Sequence, residues 1–216
     1  MKSFKAKFDV CIPNEILQML YNVREKVTKA ESMVIIDILQ RGGNNHTTPI
    51  SYKQLSIDCN MSEKSVQRAL KHLEKMGIVS REYGNGFHAP SMISIDFPSI
   101  PFTQVPASAI QELMNNTLSQ TAIRILFLVW RYSYGFKGKN GCVKSFRMSD
   151  TFITIETSIN EKNAQKAIKE LKEKGAINTF INNSSRFVYP CDTWVFFQQP
   201  EPVNFTTPIN LTPPPP

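Results

Sequence analysis

Between Asn60 and Val79, in NMSEKSVQRALKHLEKMGIV, apolar residues fall at Val66, Ala69, Leu70 and Leu73. That spacing of three and four predicts an amphipathic helix. Ser62 is a suitable N-cap, and Gly77 stands where a helix ends in left-handed geometry. The pattern returns downstream, because residues 50–79 lie on residues 148–177 at a constant offset of 98. Ser51 falls on Ser149, Ile57 on Ile155, Lys64 on Lys162, Gln67 on Gln165, Lys71 on Lys169, Leu73 on Leu171 and Gly77 on Gly175. Upstream the likeness continues at shifted offsets. IPNEILQML, from Ile12, resembles VPASAIQEL, from Val105, and ESMVIIDIL resembles TAIRILFLV. The chain is one unit written twice.

Each copy reads alike. An extended Ile-Pro or Val-Pro lead-in precedes a helix. A second helix buries Met33, Ile36 and Leu39, or Ile123, Leu126 and Val129. Ser51 or Ser149 then caps a short helix, and a tight turn at Asn60-Met61 or Ser158-Ile159 leads into the long one, capped by Ser62 or Asn160. Leu55, Ile57 and Met61 are expected to pack on Val66 and Leu70 across that turn. After each glycine the period becomes extended, with hairpins around Gly84-Asn85-Gly86 and around Asn182 to Ser185. The fold class is therefore α+β, mainly α, with two tandem winged helix-turn-helix domains at 1–97 and 98–199. DFPSIPFTQVP is a short linker between them, and residues 200–216 form a proline-rich tail expected to be disordered.

Charge gives the long helices a purpose. The sequence carries 25 Lys and Arg against 18 Asp and Glu, a formal charge of +7, which leans toward a polyanion. Opposite the apolar stripe of the first long helix stand Lys64, Arg68, Lys71 and Lys75; the second has Lys162, Lys166 and Lys169. Lysines outside a helix usually meet only solvent, and winged helices also dock proteins. The repetition of basic residues at equivalent positions favours double-stranded DNA. Near the helix starts, Lys64, Ser65, Gln67 and Arg68, with Lys162, Asn163, Gln165 and Lys166, are placed to read base edges. Lys71, Lys169 and the hydroxyls of Ser51 and Ser149 are placed to hold phosphates. In the first hairpin Arg81, with Tyr83, Asn85 and His88, can enter a minor groove or touch the DNA backbone, or Arg81 only solvates the strand; Arg186 is the weaker counterpart. WRYSYGFKGKNGCVKSF, from Trp130, adds Lys137 and Lys139 on a turn. Its Tyr132, Tyr134 and Phe136 either close the core or stack on bases.

Other chemistries find no support. There is no G-x-x-x-x-G-K-[ST] loop, H-E-x-x-H or G-x-S-x-G, and His46, His72 and His88 lack triad neighbours, so no enzyme and no cofactor are expected. Cys11, Cys59, Cys142 and Cys191 lie far apart without metal-ligand spacing, and read as reduced cytoplasmic thiols. No apolar run reaches the roughly 20 residues of a membrane span, and the start lacks a secretory h-region.

The second copy resembles the N-terminal DNA-binding domain of the bacteriophage replication protein O family over roughly residues 102–180. FTQVP matches that family's F-x-x-V-P lead-in. Arg131, Tyr134, Gly135 and Phe136 match R-x-[ST]-Y-G-[WF]. Ala164, Lys166, Ala167, Ile168, Leu171, Gly175 and Ile177 follow its recognition helix, with Ala164 in place of a valine. The resemblance implies binding to repeats in a replication origin and a replicative helicase or helicase loader as partner. The layout departs from it, with two such units and a proline tail in place of a recruiting domain, and is closer to two-winged-helix plasmid initiators; either the chain is a piece of a larger initiator or its partner binding lies in the domains and tail. The expectation is a phage- or plasmid-type replication initiator encoded by a mobile element, with a transcriptional regulator of the same modules as the alternative and a protein-docking role behind both.

Overall fold

The computed structural model describes residues 9–42, 47–83, 91–95, 101–115, 117–135 and 145–190. The first unit runs β1 (Val10–Pro13), α1 (Asn14–Tyr21), α2 (Lys29–Gly42), β2 (Thr47–Ile50), α3 (Tyr52–Asp58), α4 (Glu63–Lys75), β3 (Val79–Glu82) and β4 (Ser91–Ile95). The second runs β5 (Phe102–Val105), α5 (Ala107–Asn115), α6 (Gln120–Ser133), β6 (Phe146–Arg147), α7 (Asp150–Thr157), α8 (Glu161–Glu173), β7 (Ile177–Asn182) and β8 (Ser185–Pro190). The protein is α+β and mainly helical. No helix among the described residues is long and apolar enough to cross a membrane.

Local chemistry sets the boundaries. Oxygens of Ser51, Ser62, Ser149 and Asn160 each accept from the backbone N–H three residues on, capping α3, α4, α7 and α8. The turns between helices pass through Asn60 and Ser158, at φ 50° and 60°. Gly77 and Gly175 end the long helices at φ 71° and 69°, where no side chain sits comfortably. Thr28 and Glu31 form a capping box at the start of α2, each accepting from the other's backbone N–H.

The sheet of each unit is three-stranded and antiparallel, in the orders β2-β4-β3 and β6-β8-β7. The hairpins match expectation; the short edge strands β2 and β6 add to it. Pro49, which lacks an N–H, is tolerated on β2 because that strand lies at the edge. Asn183 and Ser184, at φ 45° and 59°, form a two-residue turn of the mirror-image kind that suits strand twist. The Gly84-Asn85-Gly86 turn and the tail lie outside the described residues.

One expectation about the helix pair needs correction. Leu55 is fully buried and Met61 packs against the core, but Ile57 is 56% exposed and its counterpart Ile155 72%. On a seven-residue helix only one stripe can face inward, and Leu55 and Cys59, four apart, occupy it.

The two copies share one core. β1 pairs with β5 in the register Val10↔Val105, Cys11↔Gln104 and Ile12↔Thr103. Since Ile12 is the equivalent of Val105, Cys11 faces its own equivalent Gln104, Val10 faces the equivalent of Ile12, and Ile12 faces the equivalent of Val10, as across a two-fold axis at Cys11 and Gln104. Helix α1 packs chiefly on α6 of the other unit. It buries Ile16, Leu17 and Leu20 completely, at about 1.5–3 kcal/mol for each side chain. The starts of the long central helices also meet. Gln120 and Arg124 donate to the Val27 carbonyl at 3.0 and 2.6 Å, and Lys29 to that of Leu118 at 2.6 Å. Arg124 is 6% exposed, and its desolvation holds the guanidinium below its usual pKa. From α1, the Tyr21 hydroxyl donates to Glu156 of α7 at 3.3 Å.

Candidate nucleic-acid interface

Helices α4 and α8 bury the same stripe and expose the same face. Val66, Ala69, Leu70 and Leu73 are buried, as are Ala164, Ala167, Ile168 and Leu171. Lys64, Gln67, Arg68 and Lys71 are exposed on α4, with Ser65 half-buried; Lys162, Asn163, Gln165, Lys166 and Lys169 are exposed on α8.

Equivalent positions anchor the two helices, by opposite chemistry. His72 Nδ1 of α4 lies 2.7 Å from Glu31 in the first turn of α2. Glu170 of α8, offset from it by 98, accepts from both the N–H and the hydroxyl of Ser119, the N-cap of α6, at 2.6 Å each. In one unit the long helix supplies the basic partner and in the other the acid. Either way it is fixed to the start of the central helix, so its basic face is held outward.

On that face, no carboxylate lies within ion-pair distance of Lys64, Arg68, Lys71, Lys162 or Lys166 among the described residues. Lys169 is paired loosely with Glu173 at 3.8 Å, both exposed. Such a pair contributes little. Ser51 and Ser149 lie exposed at the starts of α3 and α7, where their oxygens already accept the capping bonds. Ser65 is bonded to the Ser62 hydroxyl at 2.9 Å. Gln165 donates to Asp150 at 3.0 Å, beside Arg186. Partial burial would raise the Asp150 pKa, but the hydrogen bonds from Gln165 and Arg186 and the latter's charge hold it below the usual carboxylate value. Lys137 and Lys139 lie outside the described residues, as do Asn85 and His88.

Arg81 does not belong to this surface. Its guanidinium lies 2.8 Å from Glu74 of α4, donates to the Tyr52 hydroxyl of α3, and contacts Tyr83, with the side chain 7% exposed. It ties β3 to the helix pair. Arg186 has the same kind of task, donating to Asp150 and to the Met148 carbonyl. Replacing Arg81 by Ala strands the Glu74 carboxylate and should cost about 2 kcal/mol of stability. Duplex affinity should stay unchanged at a temperature where the variant is folded. A variant that unfolds like the parent in a denaturant titration, but binds duplex more weakly, would return Arg81 to the interface.

Tyr132 and Tyr134, at the end of α6, also turn inward, while Phe136 lies outside the described residues. Tyr134 is buried, and Tyr132 stacks on Phe146 at 5.4 Å and meets Phe152 edge-on at 5.1 Å. Burial first, and Glu156 second, push the Tyr132 hydroxyl up to about 12. Core closure accounts for both rings. Gly135 has a steric reason. A Cβ there would lie 2.3 Å from the Arg131 carbonyl oxygen and 2.8 Å from Thr103 Oγ1 of β5. The Arg-x-x-Tyr-Gly run thus shapes the junction of α6 with β5.

This geometry coincides with the family comparisons. Residues 101–186 match the family of bacteriophage replication protein O. Residues 28–79 match a helix-turn-helix domain family. The replication protein O match spans β5 into β8; the helix-turn-helix match spans α2 to the start of β3. Together they point to DNA as a partner and to a replication-related role. No curated protein matches the chain.

Proposed function

We propose that the chain is a phage- or plasmid-type replication initiator, without catalytic activity, whose two tandem winged helices bind origin repeats as double-stranded DNA. The observation that carries this reading is the repetition of one exposed basic face on α4 and α8, each anchored at the same position to its central helix. In each unit two of the three sheet strands, β3 and β4 or β7 and β8, follow the helix pair, so that their hairpin flanks the long helix as a wing does. Lys64, Gln67 and Arg68, with Lys162, Asn163, Gln165 and Lys166, then face base edges. Lys71 and Lys169 face phosphates, and Ser51 and Ser149 bring the starts of α3 and α7 to the backbone. A helicase or helicase loader would be met after DNA is bound. The replication protein O match supports this over a promoter-binding regulator.

Replacing Lys64, Arg68 and Lys71 by Ala, or Lys162, Lys166 and Lys169, should each weaken duplex binding. Each set should also flatten the log–log salt dependence by about 0.9 for every phosphate that is no longer neutralised. Two folded triple variants that bind like the parent at every salt concentration would show that these helices do not face DNA.

A further inference from the structure

The second sheet has an outer face that its fold does not require. Ile177 and Val188 are buried, so Asn178, Phe180, Phe187 and Tyr189 stand on the other side of the two strands. There Phe180 lies directly opposite Phe187, their rings stacked at 5.2 Å and 11°, and Tyr189 tilts toward Phe180 at 6.3 Å. Phe180 remains 43% exposed. On the neighbouring edge strand Arg147 pairs with Phe187 and is exposed. None of the three strands contains Asp or Glu.

The first unit serves as an internal control. Aligned from Val79↔Ile95 and Ile177↔Pro190, the same outer positions are Ser80 opposite Ser94 and Glu82 opposite Met92. The two serine hydroxyls bond at 2.6 Å. Pro49 stands in the place of Arg147. The same sheet face therefore folds with two serines, an acid and a half-exposed methionine in one copy, and carries stacked rings flanked by a cation in the other. Rings kept half in water at positions that do not need them call for a ligand. It must offer flat unsaturated surface for the rings and negative charge for Arg147. Single-stranded nucleic acid has both, whereas a duplex hides its base faces.

We infer that the outer face of the β6-β8-β7 sheet binds single-stranded DNA, with bases stacked on Phe180, Phe187 and Tyr189 and a phosphate held by Arg147. This face is separate from the basic sides of α4 and α8, so the inference does not depend on how those helices meet a duplex.

The test uses the full chain, a labelled oligothymidylate of about 20 nucleotides, long enough to cover a site of this kind, and a duplex. Phe180→Ser, Phe187→Met and Tyr189→Ser together, which bring in residue types that the first unit carries on this face, should lower single-strand affinity about 100-fold or more. Duplex affinity should be unchanged. Arg147→Gln should weaken single-strand binding at low salt and make it less salt-dependent. If the triple variant does not fold, Phe180→Ser and Arg147→Gln singly, both at exposed positions, give the same reading. The inference is overturned if the parent binds no oligothymidylate, or if the substitutions leave that binding intact. It is also overturned if alanines at Lys162, Lys166 and Lys169 remove single-strand and duplex binding alike. A variant altered only in its sedimentation would make the face a protein contact instead, and would overturn the inference too.

Discussion

Inserting about 5 bp between the two subsites of the bound DNA should lower affinity by roughly 100-fold or more, close to the level of one unit alone. Subsites read from one face of the duplex lie about one turn apart, roughly 10 bp centre to centre, and half a turn carries one of them to the far side. Two modules held together gain up to 10²–10⁴ in avidity, and lose it when geometry forbids both from engaging. The shared core sharpens this expectation. Because α1 of the first unit packs on α6 of the second, and β1 pairs with β5, the spacing is set by packed side chains. A free linker would stretch and recover at about 10 bp of insertion; a shared core would not. Gel-shift titrations over an insertion series read this directly. Affinity indifferent to insertion length would leave one unit as the reader and the other with a different task.

Gly135→Ala should destabilise the protein by about 3 kcal/mol, at the upper end of overpacking costs. The added Cβ meets the Arg131 carbonyl oxygen at 2.3 Å and the buried Thr103 at 2.8 Å. Only the Arg131 guanidinium, at 2.7 Å, can swing away. Thr103 cannot, since it sits in the strand pair that joins the units and donates to Asn14, at the start of α1, at 2.7 Å. Relief must come from the backbone after α6 turning away from both the Arg131 carbonyl and Thr103, which disturbs the end of α6 and the core where both copies meet. Urea unfolding of the parent and the variant measures this. An unchanged midpoint would mean that the junction is looser than these distances describe.

Much of the architecture is legible in the sequence because local rules coincide with the repeat. Ser62 and Asn160 as caps, Gly77 and Gly175 as terminators, and the buried stripe from Val66 to Leu73 follow from 3.6-residue periodicity and orphan backbone groups. What escapes is long-range. Nothing in VCIP or FTQV says that one pairs with the other. The edge strand β6 is only two residues long, below any periodic signal. Arg81 reads as a groove-seeking cation because sequence cannot place Glu74 and Tyr52 around it; an arginine of even alternation on a strand can face either way. Ile57 reads as inward-facing from its apolar character, although α3 is too short to bury a second stripe. Phe180 and Phe187 are legible as strand residues, and only the strand register shows them stacked on a face that the first unit fills with Ser80 and Glu82.

The isologous pairing of β1 with β5 has a consequence for direction. Two identical subunits around such an axis read the same from either end, and a symmetric dimer bound to DNA has no left or right. Here the halves are joined in one chain and have diverged: Ser65 and Arg68 on one long helix, Asn163 and Lys166 on the other, serines on one sheet and aromatic rings on the second. The molecule keeps the grip of a dimer and gains a head and a tail. If both units grip a duplex as proposed, the molecule would point one way along it, and whatever assembled on it would stand on one side only.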